Sequence, residues 1–204
     1  MSKKLLIATS NKGKFSELSE PLQEYGFDII SLSDLPKVAE PDEPYNTYLE
    51  NSKAKADYYF NLFDIDFVLA DDSGLEVEAL KGELGVLTRR FGLGQDANDE
   101  DWLNYFLEAM KSFKSENQRK ARFVSVITLK SKSQTVCFEG ESKGVIATEV
   151  LASIIPGIPL SSVFIPEGYK KPFAALSVAE KTEISHRGHA LSKVINYLSH
   201  NEFN

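Results

Sequence analysis

Cysteine is almost missing from this 204-residue chain: Cys137 is the single instance. One cysteine excludes an internal disulfide framework and a metal site built from thiolates. Its neighbours in Thr135-Val136-Cys137-Phe138 suggest a small packed strand residue, not a nucleophile. Long apolar runs are missing too. Nothing approaches the ~20 residues of a membrane span, and the apolar run after Lys3-Lys4 is too short for a secretory signal. These absences together place the protein in the cytoplasm. Positive charge is in deficit, with 23 Lys and Arg against 30 Asp and Glu and a net charge of -7. That argues against a general nucleic-acid surface, which needs a basic face. It does not exclude a small polyphosphate, which a few lysines, backbone N–H groups and a metal can hold.

What is present suits one globular domain, residues 1–204, with enough hydrophobic residues (42%) to bury a substantial core. The chain's central stretch is Asp66-Phe67-Val68-Leu69-Ala70-Asp71-Asp72-Ser73-Gly74-Leu75. Its apolar run predicts a buried strand that ends at two adjacent carboxylates. Side chains alternate along a strand, so Asp71 and Asp72 should point to opposite sides. Such a pair can hold a divalent cation or a water. Asp, Ser and Gly also make ordinary turns, and alone the stretch favours that reading.

Three other segments change the balance. Leu5-Leu6-Ile7-Ala8 predicts a strand that runs through Thr9-Ser10-Asn11-Lys12-Gly13-Lys14 into a helix carrying Phe15, Leu18, Leu22 and Tyr25 on one face. A helix start with free N–H groups, flanked by Lys12 and Lys14, suits an anion. A plain cap by Ser10 or Asn11 fits about equally well. A helix from Thr47 to Phe63 carries Glu50, Asn51, Lys53 and Lys55; Glu50 either pairs with Lys53 on a wet surface or faces Asp72 across a cation. The acidic segment Glu40-Pro41-Asp42-Glu43-Pro44 before it reads as a linker or lid. Near the C-terminus, Ser185 is a candidate N-cap that puts His186 and Arg187 in a first helical turn. Cations there oppose the dipole unless an anion is near. Lys181 precedes them.

Other expectations concern architecture. Phe27 to Leu32 completes a βαβ unit, and Leu75 to Leu80 alternates like a strand. Asp99 to Met110 is helical, with Trp102 and Phe106 in the core, and Lys114 to Lys120 is a charged turn. Arg122–Leu129 and Thr135–Gly140 form an antiparallel hairpin, its second arm extended by Gly144–Ala147 after an interruption. Ile154 to Ser162, with Pro156, Gly157 and Pro159, is loop, and Val163-Phe164-Ile165 is a short strand.

Taken in order, five of these motifs resemble the Ham1/inosine triphosphate pyrophosphatase family nearly end to end. They are Thr9 to Lys14, the Glu50-Asn51-Ser52-Lys53-Ala54-Lys55-Ala56 helix, Ala70 to Leu75, Phe138-Glu139-Gly140 with Gly144-Val145-Ile146, and Ser185-His186-Arg187-Gly188. The resemblance implies an elongated α/β fold of two lobes, with a long mixed β-sheet flanked by helices and a central cleft, usually as a homodimer. It implies Mg²⁺-dependent hydrolysis of ITP, dITP or XTP to the monophosphate and pyrophosphate. Asp72 would be the general base, Glu50 and Asp72 would hold Mg²⁺, and Asp71 would assist. Thr9, Ser10, Asn11, Lys12, Gly13, Lys14, Lys55 and Ser73 would bind the phosphates; Lys181, His186 and Arg187 would bind nucleotide on the far wall.

The chain departs from the pattern in one place above all. Ile158-Pro159-Leu160-Ser161 stands where the family carries Phe-Gly-Tyr-Asp, so an aromatic face and an acid of the base pocket are missing. Pro172-Phe173-Ala174-Ala175-Leu176 and Leu87-Thr88-Arg89-Arg90-Phe91 also differ from the usual Thr-Phe-Ala-Glu-Leu and Tyr-Ser-Ala-Arg-Tyr. These changes leave an alternative, a nucleotide-binding protein of the same fold with altered base preference or little turnover.

Overall fold

The computed structural model describes residues 2–94 and 96–200. Six strands form one mixed sheet in the order β2-β1-β3-β4-β5-β6. They are β1 Lys4–Ile7, β2 Asp28–Ser31, β3 Phe67–Val77, β4 Lys120–Ser131, β5 Thr135–Ile146 and β6 Phe164–Pro166. β1 pairs in parallel with β2 and β3, as a βαβ unit requires; β3 to β6 are antiparallel. The helices are α1 Lys12–Ser19, α2 Tyr48–Leu62, α3 Asp99–Ala109, α4 Glu116–Arg119, α5 Val178–Ile184 and α6 His186–His200. The α/β expectation holds. No helix among the described residues is long and apolar enough to cross a membrane.

Period-two alternation decides what covers each face of the sheet. Leu5 and Ile7 of β1, with Phe67 and Leu69 of β3, pack beneath α1 and α6 against Leu18, Leu22, Leu191 and Val194. Leu6, Ala8, Val68 and Ala70 face the other way, against Ala56 and Tyr59 of α2. A third core gathers Leu75, Trp102, Phe106, Phe123, Phe164 and Phe173. Trp102 and Phe106 are core, as the sequence suggests, and the indole N–H is satisfied by Phe91 O at 3.1 Å. Each such fully buried side chain stabilises the fold by about 1.5–3 kcal/mol.

Several boundaries differ from expectation, each for a visible reason. The central strand does not end at Asp71. β4 supplies an unbroken antiparallel partner from Phe67↔Ser131 to Val77↔Ala121, so both aspartates lie mid-strand. Leu75 to Val77 belong to this same strand, and a 3-10 turn follows at Glu78–Leu80. β5 is likewise uninterrupted from Thr135 to Ile146 because β4 pairs with it throughout. The charged turn at 114–120 contains α4, capped reciprocally by Ser115 and Gln118, and Arg119 turns inward to donate to the carbonyls of Ile146, Met110 and Phe113. The first helix stops at Ser19; Pro21 then starts a tighter 3-10 stretch, Glu20–Tyr25. In the 154–162 loop, Pro159 opens a 3-10 turn to Ser162. Lys181 lies inside α5, not in a linker before the last helix.

Candidate active site

Alternation along β3 sorts the two aspartates as expected. Asp71 faces α1 and α6. Its Oδ2 meets Lys14 Nζ at 2.9 Å and Arg187 Nε at 3.5 Å, and its Oδ1 accepts the Ser125 hydroxyl at 2.5 Å. Burial alone would raise this carboxyl, but Lys14, Arg187 and the Ser125 hydrogen bond outweigh it and hold Asp71 far below the usual carboxylate range. Asp71 is 2% exposed and does not line the cleft, so it acts as an internal counter-ion and not as a ligand to a metal. Asp72 faces α2, where Asn51 Nδ2 donates to its Oδ2 at 3.0 Å and the Ser73 N–H to its Oδ1 at 2.9 Å. Burial pushes Asp72 up to about 6; Lys14 opposes this, and the Glu43 carboxylate adds to it.

Asp72 opens into a cleft of about 660 Å³, a size suited to a small ligand. One wall is the β1–α1 loop. Asn11 caps α1 by accepting the Lys14 N–H at 3.0 Å, and Thr9 Oγ1 accepts the Asn11 N–H at 3.2 Å. Thr9, Ser10, Asn11, Lys12 and Lys14 all line the cavity. Gly13 does not. It is buried, and a Cβ there would stand 2.8 Å from Ile158 Cγ1 and 2.9 Å from Pro156 O. It packs closely on the divergent segment, where no side chain fits.

Lys55 reaches the same space from α2. It pairs with Glu43 and donates to Asp71 O at 3.3 Å. Burial would depress its pKa, but Glu43, Asp72 and Asp71 raise it above the ordinary lysine value. Glu40, Asp42 and Glu43 bring the acidic loop into the cleft lining. Glu50 is not brought there. Thr47 caps α2 by accepting the Glu50 N–H at 3.2 Å, and its hydroxyl donates to Glu50 Oε2 at 2.6 Å. This keeps the side chain exposed on the helix's first turn, outside the cleft lining. The acid whose charge acts on Asp72 is Glu43, in the proline-bearing segment that reads as a linker or lid.

The opposite wall comes from Ser185 and the first turn of α6; Lys181 of α5 is buried and does not line the cleft. Ser185 Oγ accepts the Gly188 N–H at 3.0 Å, so it caps α6 as expected, with His186 and Arg187 in the first turn. An internal anion offsets the Arg187 and Lys181 charges: Glu17 of α1 binds Arg187 Nη1 at 2.7 Å and Lys181 Nζ at 3.2 Å. Arg187 Nη2 also lies 3.4 Å from the Ser73 hydroxyl, which donates to Asp71. Helix and strand approach closely where Gly140 of β5 meets α6; a Cβ there would stand 2.2 Å from His186 O. His186 stacks on Phe123 at 4.6 Å, with Phe173 at 6.3 Å. Burial and the neighbouring Arg187 hold it neutral, well below the ordinary histidine value. Neither of its ring nitrogens has a hydrogen-bond partner among the described residues, although the ring lines the cleft.

The divergent segment adds apolar surface. Ile158 and Leu160 line the cavity, while the hydroxyls of Ser161 and Ser162 are spent on the carbonyls of Ile158 and Pro159, each at 2.7 Å. Gly157 fastens the segment to both sides: its carbonyl accepts from Asn11 Nδ2 and its N–H donates to Asp99 Oδ2, each at 2.6 Å. Sequence reading named no role for Glu17, Glu43, Asn51, Ser125 or Phe123. Only Glu43 carried a local signal, as an acid in a proline-flanked loop beside a lysine-bearing helix.

Comparison with known proteins agrees with this arrangement. A family model described as the Ham1 family matches residues 5–197. A "dITP/XTP pyrophosphatase" of Aquifex aeolicus is 38% identical over 205 residues, covering 98% of each chain. One of Christiangramia forsetii is 36% identical over 196 residues, 96% of this chain and 99% of its own. The solved structure of the Staphylococcus aureus Ham1 protein superposes with a TM-score of 0.78 at 29% identity, covering 97% of this chain and 98% of that one.

Proposed function

From the premise that the chain belongs to the Ham1 family, we propose that it hydrolyses deaminated purine nucleoside triphosphates (ITP, dITP and XTP) to the monophosphate and pyrophosphate. The observation that carries this reading is Asp72: a cleft-facing carboxylate held by Asn51 and the Ser73 N–H, with Lys14, Lys55 and Glu43 around it. A carboxylate so placed can accept a proton from a water in the cleft.

In this reading Asp72 takes a proton from water as the water oxygen bonds to phosphorus. The bridging P–O bond between the α- and β-phosphates breaks, and its electrons leave with pyrophosphate. Asn51 and the Ser73 N–H hold the carboxylate in place. Lys12, Lys14, Lys55 and the hydroxyls of Thr9, Ser10 and Ser73 receive the phosphate oxygens, with Arg187 across the cleft. The His186 nitrogens, buried and without partners, are free to bond the oxo groups and ring nitrogens that distinguish hypoxanthine and xanthine. Phe123 and Phe173 bound that end of the pocket.

The donor set fits Mg²⁺. Among the described residues no group of three or more His, Cys, Asp or Glu side chains converges, so a closed all-protein metal cage is not built. Mg²⁺ is commonly held by one or two carboxylates plus waters and substrate phosphates. Asp72 and Glu43 would hold it, in place of the Glu50–Asp72 pair that the resemblance implied. When bound, the ion would neutralise phosphate charge and polarise the phosphoryl oxygen. Nothing in the cleft favours the binding-only alternative. A cytoplasmic homodimer remains part of the proposal, checked by light scattering of the purified protein.

The test is a panel of triphosphates assayed for pyrophosphate release with Mg²⁺. Release from ITP, dITP and XTP well above ATP is the expected result. Nucleotide binding without product from any of them would overturn it.

A further inference from the structure

The geometry points to Asn51 as a positioning residue that sets Asp72 and the acidic loop in one register. This rests on the reading of Asp72 as the base. The Asn51 amide is 2% exposed and fully used. Its Nδ2 donates to Asp72 Oδ2 at 3.0 Å and to Tyr45 O at 3.2 Å, and its Oδ1 accepts the Tyr45 N–H at 3.1 Å. An amide has two donors and an acceptor, and this site uses all three functions. Aspartate would put a second carboxylate against Asp72, and leucine would supply no donor. The need for both functions also fixes the amide's orientation, since the flipped form would turn an oxygen toward a carboxylate.

The Tyr45 contact matters because of what precedes it. Asn51, Lys55 and Tyr58 fall on one face of α2, at i, i+4 and i+7. They hold the loop at three points: Tyr45 through Asn51, Glu43 through Lys55, and Ala39 through the Tyr58 hydroxyl, which donates at 2.9 Å. Lys55 and Tyr58 hold the loop without donating to the Asp72 carboxylate. Asn51 alone of the three hydrogen-bonds both the loop and that carboxylate, so it sets where Asp72 stands relative to Glu43.

The experiment compares Asn51→Ala, Asn51→Gln, Tyr58→Phe and Asp72→Asn with the wild type, using dITP and saturating Mg²⁺. Asn51→Ala should lower kcat about a hundred-fold with little change in KM, as expected when a reacting group is misplaced by ~1 Å. Asn51→Gln, which keeps donor and acceptor, should recover part of the loss. Tyr58→Phe frees only the far end of the loop and should change kcat by less than about threefold. Hydrogen exchange supplies a readout independent of turnover: the Tyr45 amide should exchange faster in Asn51→Ala and not in Tyr58→Phe. Equal kcat losses in Asn51→Ala and Tyr58→Phe would reduce Asn51 to a loop anchor and overturn the proposal. So would a kcat loss no larger than the unfolded fraction shown by thermal melting. Wild-type kcat in Asn51→Ala with an inactive Asp72→Asn removes the Asn51 role alone. An active Asp72→Asn removes the base, and the proposal with it.

Discussion

The two walls of the cleft meet an incoming ligand in different states. On the carboxylate wall charges are already neutralised inside the protein: Asp71, outside the cleft lining, by Lys14 and Arg187, and Lys55 by Glu43. On the aromatic wall His186 lies against Phe123 with both ring nitrogens unbonded. A buried polar atom left without a partner costs free energy, so under the proposed function this wall would gain hydrogen bonds from an incoming base. The carboxylate wall can only exchange partners. The difference suggests separate tasks: a preset electrostatic field for the reaction and unmet hydrogen bonds for selection.

Four perturbations would break or sharpen that contrast. The largest effect is expected at Asp71. Asp71→Ala leaves Lys14 without its buried counter-ion and Arg187 with Glu17 alone, and should cost about 3–5 kcal/mol of stability, read as a fall in the denaturant midpoint. A loss near zero would mean that the carboxylate wall is not preset by this pair. Next is His186→Phe, which keeps an aromatic ring and removes the nitrogens. It should narrow the preference for dITP over dATP by about ten- to a hundred-fold in kcat/KM; an unchanged ratio would move base selection elsewhere. Gly13→Ala drives a methyl group into Ile158 and Pro156, where the β1–α1 loop meets the divergent segment. Overpacking of this kind costs about 1–3 kcal/mol, and KM should rise through displacement of the loop. A silent substitution would show that the loop and the segment move independently.

The smallest effect is a matter of pH, with opposite signs for the two aspartates. Without metal, folded Asp72 binds its proton near pH 6 while the unfolded chain does so near 3.8, so stability falls as pH rises through that window. Asp71 is held below its unfolded value. Its contribution is present above pH 3.8 and is lost as pH falls further toward its folded pKa. Melting temperatures from pH 7 to 4 should therefore rise slightly in the wild type. Asp72→Asn should flatten that slope.

What could be read from the chain was local. The β1–α1 loop, the alternation that splits Asp71 from Asp72, the Ser185 cap and the hairpin each depend on neighbours in sequence, and each stands in the structure. Glu17 could not be foreseen because it meets Lys181 and Arg187 from 164 and 170 residues away. Glu50 shows the pull of a local partner: its spacing in the helix suits a ligand, and Thr47, three residues earlier, bonds its carboxylate. The length of β3 was hidden because Asp, Ser and Gly look like a turn until β4 supplies the ladder that keeps them extended.

The measurement closest to the central claim is pyrophosphate release from dITP with Mg²⁺, by the wild type and by Asp72→Asn at matched thermal stability. Rapid release by the wild type is expected, with a loss of about a hundred-fold or more in the variant. Equal release by both proteins would contradict the account.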